Sequence, residues 1–572
     1  MEKFKRFAYT NKFMYLLILF VTILIYILFG KTHDIYHDDG IQHIARAMGT
    51  AYAMKNGVFM GNVIPSFFNG FGYSWNLFYG PLTTFMIILG KLVCGSYAGG
   101  YSLFGFISMF LSGITMFILL DNLNEKKTVS FIGAFLYMAA PYHLTDLYTR
   151  NAVGEFLAFA FIPLVALGLY NIFNNKSNHY YLIVGTCGLI LTHNLTTLIV
   201  AMIAGLYVIV HIKELKDTYV IKAILFDMFF TLLITSFFWV PLLEAKFSAD
   251  YAVYSENMIT SYERVSSNAL SFKQLFSTQN GAYCFEIGID LVLIMCVSFL
   301  ARKHINVNKK DYYFAIVVSL LALWATTKYF PWKYMPHVFY MIQFPWRLLQ
   351  IVVFFFVIVG MRNLDLLLKK FNYGDVAILS CVATLIMLST SVYRTLDPMT
   401  ELEYKNLGIS TGREIEIIAG MGQTEYLPYK TFKNKFRILE ANKEIRFIGD
   451  TEGAIVKEQK QGEGDVLYTA NIYVKDKAKF ELPFTYYPGY ELRIDGTVNN
   501  HFFETDNGLL GVEIDGTEEN STLELRYKGS RAQKITLVIS VLSLIILPIY
   551  IKKKKTIPYD KENPWKITEN VI

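Results

Sequence analysis

The sequence predicts a polytopic α-helical membrane protein with a β-rich domain outside the membrane near its C-terminal end. Of its 572 residues, 53% are hydrophobic and only 17% are charged, whereas soluble domains carry about a quarter charged residues. Uncharged apolar runs of about twenty residues, the length that crosses bilayer hydrocarbon, recur along the chain. Closer to the C-terminal end, apolar and polar residues alternate between turn dipeptides, which is typical of β-strands.

The first apolar run, Phe13 to Gly30, is expected to be a retained membrane helix. It is too long for a removed signal peptide and lacks a small-residue cleavage site. Basic clusters separate the later runs, and the positive-inside rule places such short basic loops in the cytoplasm. The clusters are Lys3/Lys5/Arg6/Lys12, Lys126/Lys127, Lys176, Lys213/Lys216/Lys222, Arg302/Lys303/Lys309/Lys310, Arg362/Lys369/Lys370 and Lys552 to Lys555.

About twelve spans place every basic cluster on the inner side of the membrane. The spans are expected near 13–30, 98–120, 128–141, 154–173, 179–192, 195–212, 221–242, 286–301, 312–328, 347–362, 374–392 and 534–551. The apolar piece Pro81 to Cys94 would reverse every later loop if it also crossed. We therefore interpret it as a re-entrant or interfacial segment of the first outer loop, residues 31–97.

This topology divides the chain into a transmembrane domain over 1–392, an extracytoplasmic domain over 393–533, and a final span with a basic cytoplasmic tail over 534–572. The middle domain contains alternating runs and the turn dipeptides Asp495-Gly496 and Asp515-Gly516. We expect a fold like a β-sandwich or jelly roll there. All five cysteines lie outside this domain, and an exported domain without disulfides indicates a bacterial surface.

Several function classes are excluded by what the sequence lacks. The net charge of +6 is accounted for by lysines in the inner loops, so no nucleic-acid partner is expected. The chain has no P-loop, no glycine-rich dinucleotide motif after a strand, no zinc-ligand spacing and no coiled-coil heptads. It also lacks the internal repeat that pairs the two halves of many transporters.

The strongest candidate site follows directly after the first span. Asp38 and Asp39 are adjacent carboxylates, and Asp39, His43 and Arg46 fall on one helix face at i, i+4 and i+7. Paired carboxylates at a membrane surface can bind a divalent cation, or one can act as a base that the other positions. The alternative is an ordinary polar helix start in which Asp38 serves as a cap.

An aromatic loop, residues 65–81, follows this helix. Its Tyr73, Trp75 and Tyr79 could stack on sugar rings and bond to hydroxyl groups. Judged on residue types alone, an ordinary interfacial aromatic belt is the better interpretation.

Two arginines at the outer ends of spans are candidates for binding a lipid phosphate. Arg150 could equally form a structural pair with Glu155 or Asp146. Arg347 opens the tenth predicted span, where snorkelling is the alternative. His193 interrupts an apolar stretch, where a polar contact between helices is more probable than catalysis.

The order of these motifs resembles a known family. The matching motifs are Asp38-Asp39 with His43 and Arg46, Gly70-Phe-Gly-Tyr73, Phe78-Tyr-Gly-Pro-Leu82, Arg150-Asn-Ala-x-Gly-Glu155, Pro163-Leu164, His193-Asn-Leu195, Gln343-Phe-Pro-Trp-Arg347, Glu425-Tyr-Leu-Pro428 and Tyr487-Pro-Gly-Tyr-Glu-Leu-Arg-Ile-Asp-Gly496. Over nearly its whole length the chain resembles the bacterial membrane family called 6-pyruvoyl-tetrahydropterin synthase-related, and more distantly YfhO-type proteins. Both are similar to the GT-C glycosyltransferase superfamily. The synthase itself is small, soluble and zinc-dependent, and no three-histidine zinc site is evident in this sequence.

The resemblance implies a GT-C-like transmembrane domain that transfers a sugar from a polyprenyl-phosphate carrier to a cell-surface polymer or glycan. The reaction would take place on the extracytoplasmic face of the bacterial cytoplasmic membrane. Asp38 or Asp39 would take the proton of the acceptor hydroxyl, and a single displacement would invert the anomeric centre. The third implied catalytic residue, His43, would assist the arginines in stabilising the departing lipid phosphate. The residues implied in holding the donor phosphate are Arg46, Arg150, Glu155 and Arg347. The residues implied in contacting the sugar or acceptor are Tyr73, Trp75, Tyr79 and His193.

Two alternatives remain open from the sequence. A flippase for a lipid-linked glycan would carry charged residues along the middle of several spans, and these spans hold few, with Asp227 as one. A non-catalytic assembly protein would bind polysaccharide through its β-domain. No cofactor is certain, although Asp38 and Asp39 could bind Mg²⁺ or Mn²⁺.

Overall fold

The computed structural model describes residues 10–29, 35, 39–124, 126–174, 178–255, 260–276, 287, 291, 309–368, 424–449 and 453–556. Its helices are α1 (Asn11–Phe29), α2 (Gly40–Lys55), α3 (Leu82–Cys94), α4 (Tyr97–Leu123), α5 (Lys127–Met138), α6 (Pro141–Tyr148), α7 (Val153–Ala158), α8 (Ile162–Phe173), α9 (Tyr181–Thr192), α10 (Asn194–Val210), α11 (Thr218–Ser248), α12 (Tyr262–Ser267), α13 (Phe272–Phe276), α14 (Lys309–Ala325), α15 (Leu349–Leu368), α16 (Tyr429–Lys433), α17 (Lys435–Leu439) and α18 (Arg531–Thr556). Its strands are β1 (Arg446–Ile448), β2 (Ala454–Gln461), β3 (Val466–Val474), β4 (Lys477–Thr485), β5 (Tyr490–Ile494), β6 (Thr497–Asn499), β7 (Phe502–Glu504), β8 (Leu509–Asp515) and β9 (Ser521–Tyr527).

The mostly helical membrane architecture is confirmed. Within the described residues, six helical segments are long and apolar enough to cross a bilayer. They are Asn11–Leu28, Tyr97–Leu123, Val153–Phe173, Thr218–Ser248, Pro345–Asp365 and Arg531–Lys552. Shorter apolar helices occupy most of the other predicted positions, whereas the predicted spans at 286–301 and 374–392 lie outside the described residues.

Glycines allow two consecutive helices to pack closely at the start of the bundle. The helices α3 and α4 form a hairpin in which a Cβ atom on Gly90 would lie 2.7 Å from the carbonyl oxygen of Gly100. Only glycine fits such a backbone contact without displacing one of the helices. The segment Pro81 to Cys94, interpreted above as re-entrant or interfacial, forms the helix α3, and this helix packs along α4.

The β-rich region consists of two antiparallel sheets. One sheet has the strand order β1-β4-β8-β7 and the other the order β2-β3-β9-β5-β6. Buried residues from both sheets, such as Phe480 and Val512 from the first and Ile472 and Leu523 from the second, belong to one apolar cluster. This is the arrangement of a β-sandwich, and its strands all lie within the predicted range of 393–533.

The sandwich also shares its core with the first outer loop. Val58, Val63 and Leu77 belong to the same apolar cluster as the inner faces of the sheets. The backbone N–H of Thr485 donates to the carbonyl of Phe71 at 2.7 Å. Rather than being joined only through the flanking chain, the β-region is packed onto the loop that follows α2.

Candidate functional site

A polar cavity of about 240 Å³ lies where the ends of several helices meet the segment that leads into the β-region. Its walls contain most of the predicted site residues. The lining residues are Asp39, Gln42, His43, Trp75, Tyr79, Arg150, Ala152, Glu155, His193, Arg264, Gln343, Arg347, Glu425 and Tyr426.

Asp39 stands at the start of α2, directly before its first helical residue. Its backbone N–H donates to the carbonyl of Arg150 at 3.3 Å, which fixes the beginning of α2 against the segment between α6 and α7. Its neighbour Asp38 lies outside the described residues. Within the described part of the chain, no three His, Cys, Asp or Glu side chains converge as a metal site requires, and the predicted metal stays a prediction.

His43 lies one turn further along α2 and is buried beside the rings of Trp75 and Tyr79, with centroid distances of 6.2 and 6.0 Å. Burial, with smaller contributions from the positive charge of Arg46 and from His193, lowers the pKa of His43 to about 3. At neutral pH the ring is therefore uncharged. It can exchange hydrogen bonds with a ligand but supplies no positive charge to a phosphate.

Arg46 was predicted to hold the donor phosphate, but it lies behind the cavity wall rather than on it. Its guanidinium is fully buried. The Nε atom donates to Oδ1 of Asn76 at 2.9 Å, and Nη2 donates to the carbonyls of Tyr79 and Gly80 at 2.8 and 3.2 Å. These bonds engage Nε and Nη2 of the side chain that was expected to hold phosphate, whereas Nη1 is buried without a hydrogen-bond partner in the described structure. The same bonds fix the turn that presents Tyr79.

Tyr73 was predicted to contact the sugar or acceptor, but it too lies behind the cavity wall. Its ring is only 2% exposed and packs in an apolar cluster with Phe67 and Leu427. Its hydroxyl accepts a hydrogen bond from the backbone N–H of Tyr426 at 3.2 Å. Tyr73 therefore supports the wall, whereas Trp75 and Tyr79 reach the cavity as predicted.

Arg150 and Glu155 form the structural pair that was one of the two interpretations of these residues. Nη1 of Arg150 lies 2.5 Å from Asp146 and 3.3 Å from Glu155, and all three side chains are buried. Glu155 also accepts a hydrogen bond of 2.5 Å from the hydroxyl of Tyr142. Burial and the nearby Glu155 raise the pKa of Asp146 well above its usual value. Of the two carboxyl groups, Glu155 therefore supplies the negative charge that faces Arg150.

Arg347 shares an aromatic ring with a second arginine that the sequence did not reveal as a site residue. The guanidinium carbons of Arg347 and Arg264 lie 4.8 and 5.0 Å from the ring centroid of Phe344. Arg347 is oriented by hydrogen bonds from Nη1 to the carbonyl of Ile342 and to Oε1 of Gln343, at 3.0 and 2.9 Å. It also lies 3.5 Å from Glu155.

Arg264 comes from the short helix α12, where its backbone N–H donates to the Ser261 hydroxyl at 3.1 Å. It forms no salt bridge with any residue that the structure describes. Burial and the positive charge of Arg347 lower the pKa of Arg264. Glu425, which lines the same cavity, offsets part of the charge of Arg264. Two neighbouring cations on one side of the cavity favour binding of an anion there.

Glu425 and Tyr426 were also missed as site residues, although they belong to the Glu425-Tyr-Leu-Pro428 motif of the family resemblance. Oε2 of Glu425 is buried and has no hydrogen-bond partner within the described structure. Burial raises the pKa of Glu425. Tyr426 stacks on Phe78 with a centroid distance of 5.0 Å, and its carbonyl accepts a hydrogen bond of 2.9 Å from the hydroxyl of Tyr487.

His193 acts as the N-cap of α10, because its Nδ1 accepts the backbone N–H of Thr196 at 3.3 Å. In the neutral ring the proton therefore belongs on Nε2. Since His193 lines the cavity, this Nε2–H is available as a hydrogen-bond donor to a ligand.

An apolar groove of about 130 Å³ lies in the helix bundle along α8, α10 and α15. On α15 it begins at Ile351, four residues after Arg347 and therefore about 6 Å further along the helix axis. The groove is lined by Leu119, Leu123, Ile162, Val165, Ala166, Leu169, Tyr170, Val200, Ile203, Ala204, Tyr207, Asp311, Phe314, Ala315, Ile351, Phe354, Phe355 and Ile358.

Comparison with known proteins places the chain in a family. A relative from Lactococcus lactis subsp. cremoris (strain MG1363), described as an uncharacterized protein, is 28% identical over 349 residues. The alignment covers 58% of this chain and 56% of the relative, so the chain spans about half the length of the curated relative it matches. The model of the 6-pyruvoyl-tetrahydropterin synthase related domain, a membrane protein family, matches residues 77–401, which is more than half of the chain. The chain belongs to this family of membrane proteins.

Proposed function

We propose that the protein is a GT-C-type membrane glycosyltransferase. It would move a sugar from a polyprenyl-phosphate carrier to a cell-surface polymer or glycan on the outer face of the bacterial cytoplasmic membrane. The predicted topology of about twelve spans would place the polar cavity on that face. The observation that carries the proposal is the pair of arginines on Phe344, together with the apolar groove that begins at Ile351, four residues after Arg347.

The arginine pair suits the phosphate of a lipid carrier. Arg264 and Arg347 both line the cavity, and both guanidinium groups pack against the ring of Phe344. Guanidinium groups bind phosphate oxygens through charge-assisted hydrogen bonds, and a site shielded from water strengthens this attraction. In the proposed reaction the phosphate gains negative charge as it leaves the sugar, and the arginine pair would stabilise that charge. Arg150 contributes less, because Glu155 already compensates its charge.

The apolar groove suits the first isoprene units of the same carrier. It follows the face of α15 through Ile351, Phe354 and Ile358, and runs beside Val200 and Tyr207 of α10. Over this stretch of α15 the groove extends about 10 Å along the helix axis. A ligand with a phosphate at the arginine pair and an apolar chain in the groove would bury both of its parts in matching surroundings.

The transfer is a single displacement. The oxygen of the acceptor hydroxyl forms a bond to the anomeric carbon, the bond between that carbon and the phosphate oxygen breaks, and the anomeric configuration inverts. Asp39, or Asp38 beyond the described residues, takes the hydroxyl proton. Trp75 and Tyr79 pack on the sugar, and Nε2–H of His193 donates to a sugar hydroxyl. Asp38 and Asp39 would also be the ligands if the reaction requires Mg²⁺ or Mn²⁺.

The test uses Asp38→Asn and Asp39→Asn, with Asp515→Asn on the exposed end of β8 as a control of equal charge change. Surface glycan is measured in cells that express each variant at the level of the unaltered protein. Transfer from a radiolabelled polyprenyl-phosphate sugar is measured with the full chain in lipid nanodiscs. We expect at least one of the two site variants to lose transfer while Asp515→Asn retains it. Unchanged transfer and surface glycan in both site variants contradicts the proposed reaction.

A further inference from the structure

A basic and aromatic surface lies beside the cavity and has no role in the proposed displacement. We call residues 429–437, which comprise α16 and the start of α17, the basic shelf. In these nine residues the chain places Lys430, Lys433, Lys435 and Arg437, and no acidic residue. Because α16 and α17 bury Thr431 and Ile438, most of the charged side chains point outward.

Two of these cations are used to attach the shelf to the β-sandwich. Lys430 pairs with Glu504 at 3.1 Å, and Arg437 donates to the side-chain oxygen of Asn507. The hydroxyl of Thr431 donates to the carbonyl of Gly508 at 2.8 Å. These contacts hold the shelf against the turn between β7 and β8.

The other two cations carry charge that the described chain does not compensate. Lys433 and Lys435 form no salt bridge with any described residue. Their ammonium nitrogens lie over aromatic rings instead, at 4.3 Å from the centroid of Tyr429 and 4.4 Å from that of Phe432. Beside them Phe436 is 72% exposed. An exposed surface that alternates cations and aromatic faces suits a chain of sugars bearing negative groups.

The shelf is continuous with the cavity wall. Tyr426 lines the cavity, and the shelf begins three residues later, which the backbone can span in at most about 11 Å. On its other side the shelf is tied to the aromatic loop, because Nδ2 of Asn69 donates to the carbonyl of Leu439 at 3.1 Å. A long molecule lying on the shelf would therefore reach the cavity without crossing the rest of the β-sandwich.

We propose that the basic shelf binds the acceptor of the reaction, and that this acceptor is a polyanionic cell-surface glycan with phosphodiester groups. The inference rests on the proposed glycosyl transfer. Lys433 and Lys435 attract the phosphodiester groups, while the exposed ring of Phe436 packs on a sugar of the chain. The shelf thus holds the polymer so that one of its hydroxyl groups enters the cavity.

The test measures binding rather than turnover, so it is independent of whether sugar transfer takes place. The full chain is placed in nanodiscs of uncharged lipid, and sodium polyphosphate is the soluble probe. The shelf variant is Lys433→Gln and Lys435→Gln, which leaves the attachment through Lys430 and Arg437 intact. The control variant removes two exposed lysines from the β-sandwich by Lys457→Gln and Lys460→Gln. We expect the shelf variant to lose about tenfold in affinity and the control less than about threefold.

Lysine acetylation, read by mass spectrometry, locates the bound probe. Polyphosphate is expected to protect Lys433 and Lys435, whereas uncharged dextran is not, and added salt is expected to remove the protection. Equal loss of affinity in both variants would show attraction to net charge alone and overturns the proposal. Protection of the two lysines by nanodiscs of anionic lipid, without protection by polyphosphate, would show that the shelf lies on the membrane and also overturns it.

Discussion

Arg46 and Asn76 are joined by a buried hydrogen bond of 2.9 Å from Nε to Oδ1, and this bond supports the cavity wall from behind. Asn76 in turn donates to the Thr50 hydroxyl and the Gly61 carbonyl, each at 2.8 Å. The helix that carries Asp39 and His43 is thereby fixed to the loop that carries Trp75 and Tyr79.

Replacement of Arg46 should therefore damage the fold before it damages any ligand contact. Arg46→Met leaves Oδ1 of Asn76 and two buried carbonyls without their donor, and each unsatisfied group costs about 1–3 kcal/mol. We expect a clear fall in the thermal unfolding temperature of the purified protein. Arg493→Met, which removes a half-exposed arginine paired with Glu491, should change that temperature little. A variant of Arg46 with unaltered unfolding temperature would contradict the supporting role.

Glu155 is expected to be the most sensitive carboxylate in the cavity. Glu155→Gln keeps a side chain that can accept from Tyr142 but removes the negative charge facing Arg150 and Arg347. Breaking a buried ion pair by neutralising one partner costs about 3–5 kcal/mol. We expect the double variant Glu155→Gln/Arg347→Met to be more stable than the sum of the single effects predicts, measured as a coupling free energy in a double-mutant cycle. Strict additivity would show that the two residues do not interact.

The arginine pair on Phe344 predicts binding of a short isoprenyl phosphate. Arg264→Met should weaken the binding of farnesyl phosphate by about tenfold or more, because it removes a charged donor from the cavity. Arg264→Lys should recover only part of this affinity, since an ammonium group lacks the planar fork of a guanidinium. The control is Lys273→Met on α13, which is exposed and does not line the cavity. Isothermal titration calorimetry measures all four proteins, and equal affinities for Arg264→Met and the control would refute the phosphate site.

The burial of Glu425 predicts that the folding stability falls as the pH rises. Burial raises the pKa of Glu425 in the folded protein above its ordinary value of 4.5, so the folded state binds the proton more tightly than the unfolded state does. Its favourable contribution is complete below about pH 4.5 and is lost as the pH rises through the folded-state pKa. We expect Glu425→Gln to gain stability relative to the unaltered protein as the pH rises from 4 to 8. The unfolding temperatures of the unaltered protein and of Glu425→Gln are compared across that pH range. A difference between the two that stays constant with pH would exclude Glu425 as the titrating group.

The helical part of the fold could be predicted because its signal is local. Apolar runs and basic loops located the long apolar helices that the structure describes, and alternation with turn dipeptides located the β-rich region and several of its strands. The packing of the sandwich on the first outer loop could not be predicted in this way. The contact between Val58 and the sheets, for example, joins residues that are far apart in the sequence.

Only the part of the cavity that depends on local sequence spacing could be predicted. Asp39 and His43 share one helix turn, so their spacing already indicated a common face. Arg264 left no signal, because it lies on a six-residue helix and becomes a site residue only through its contact with Phe344. Arg46 and Tyr73 have residue types suited to ligands, but burial behind the wall gave them supporting roles, and sequence spacing alone does not report depth.

The composite wall of the cavity has a consequence for biosynthesis. Asp39 and His43 leave the ribosome early, whereas Glu425 and Tyr426 follow only after about three quarters of the chain has been made. Until then the aromatic loop and the residues just before it lack the partner surfaces that cover Val63 and Leu77. A nascent or truncated chain would therefore expose this loop to proteolysis and to quality-control factors, and the cavity wall would be complete only late in synthesis.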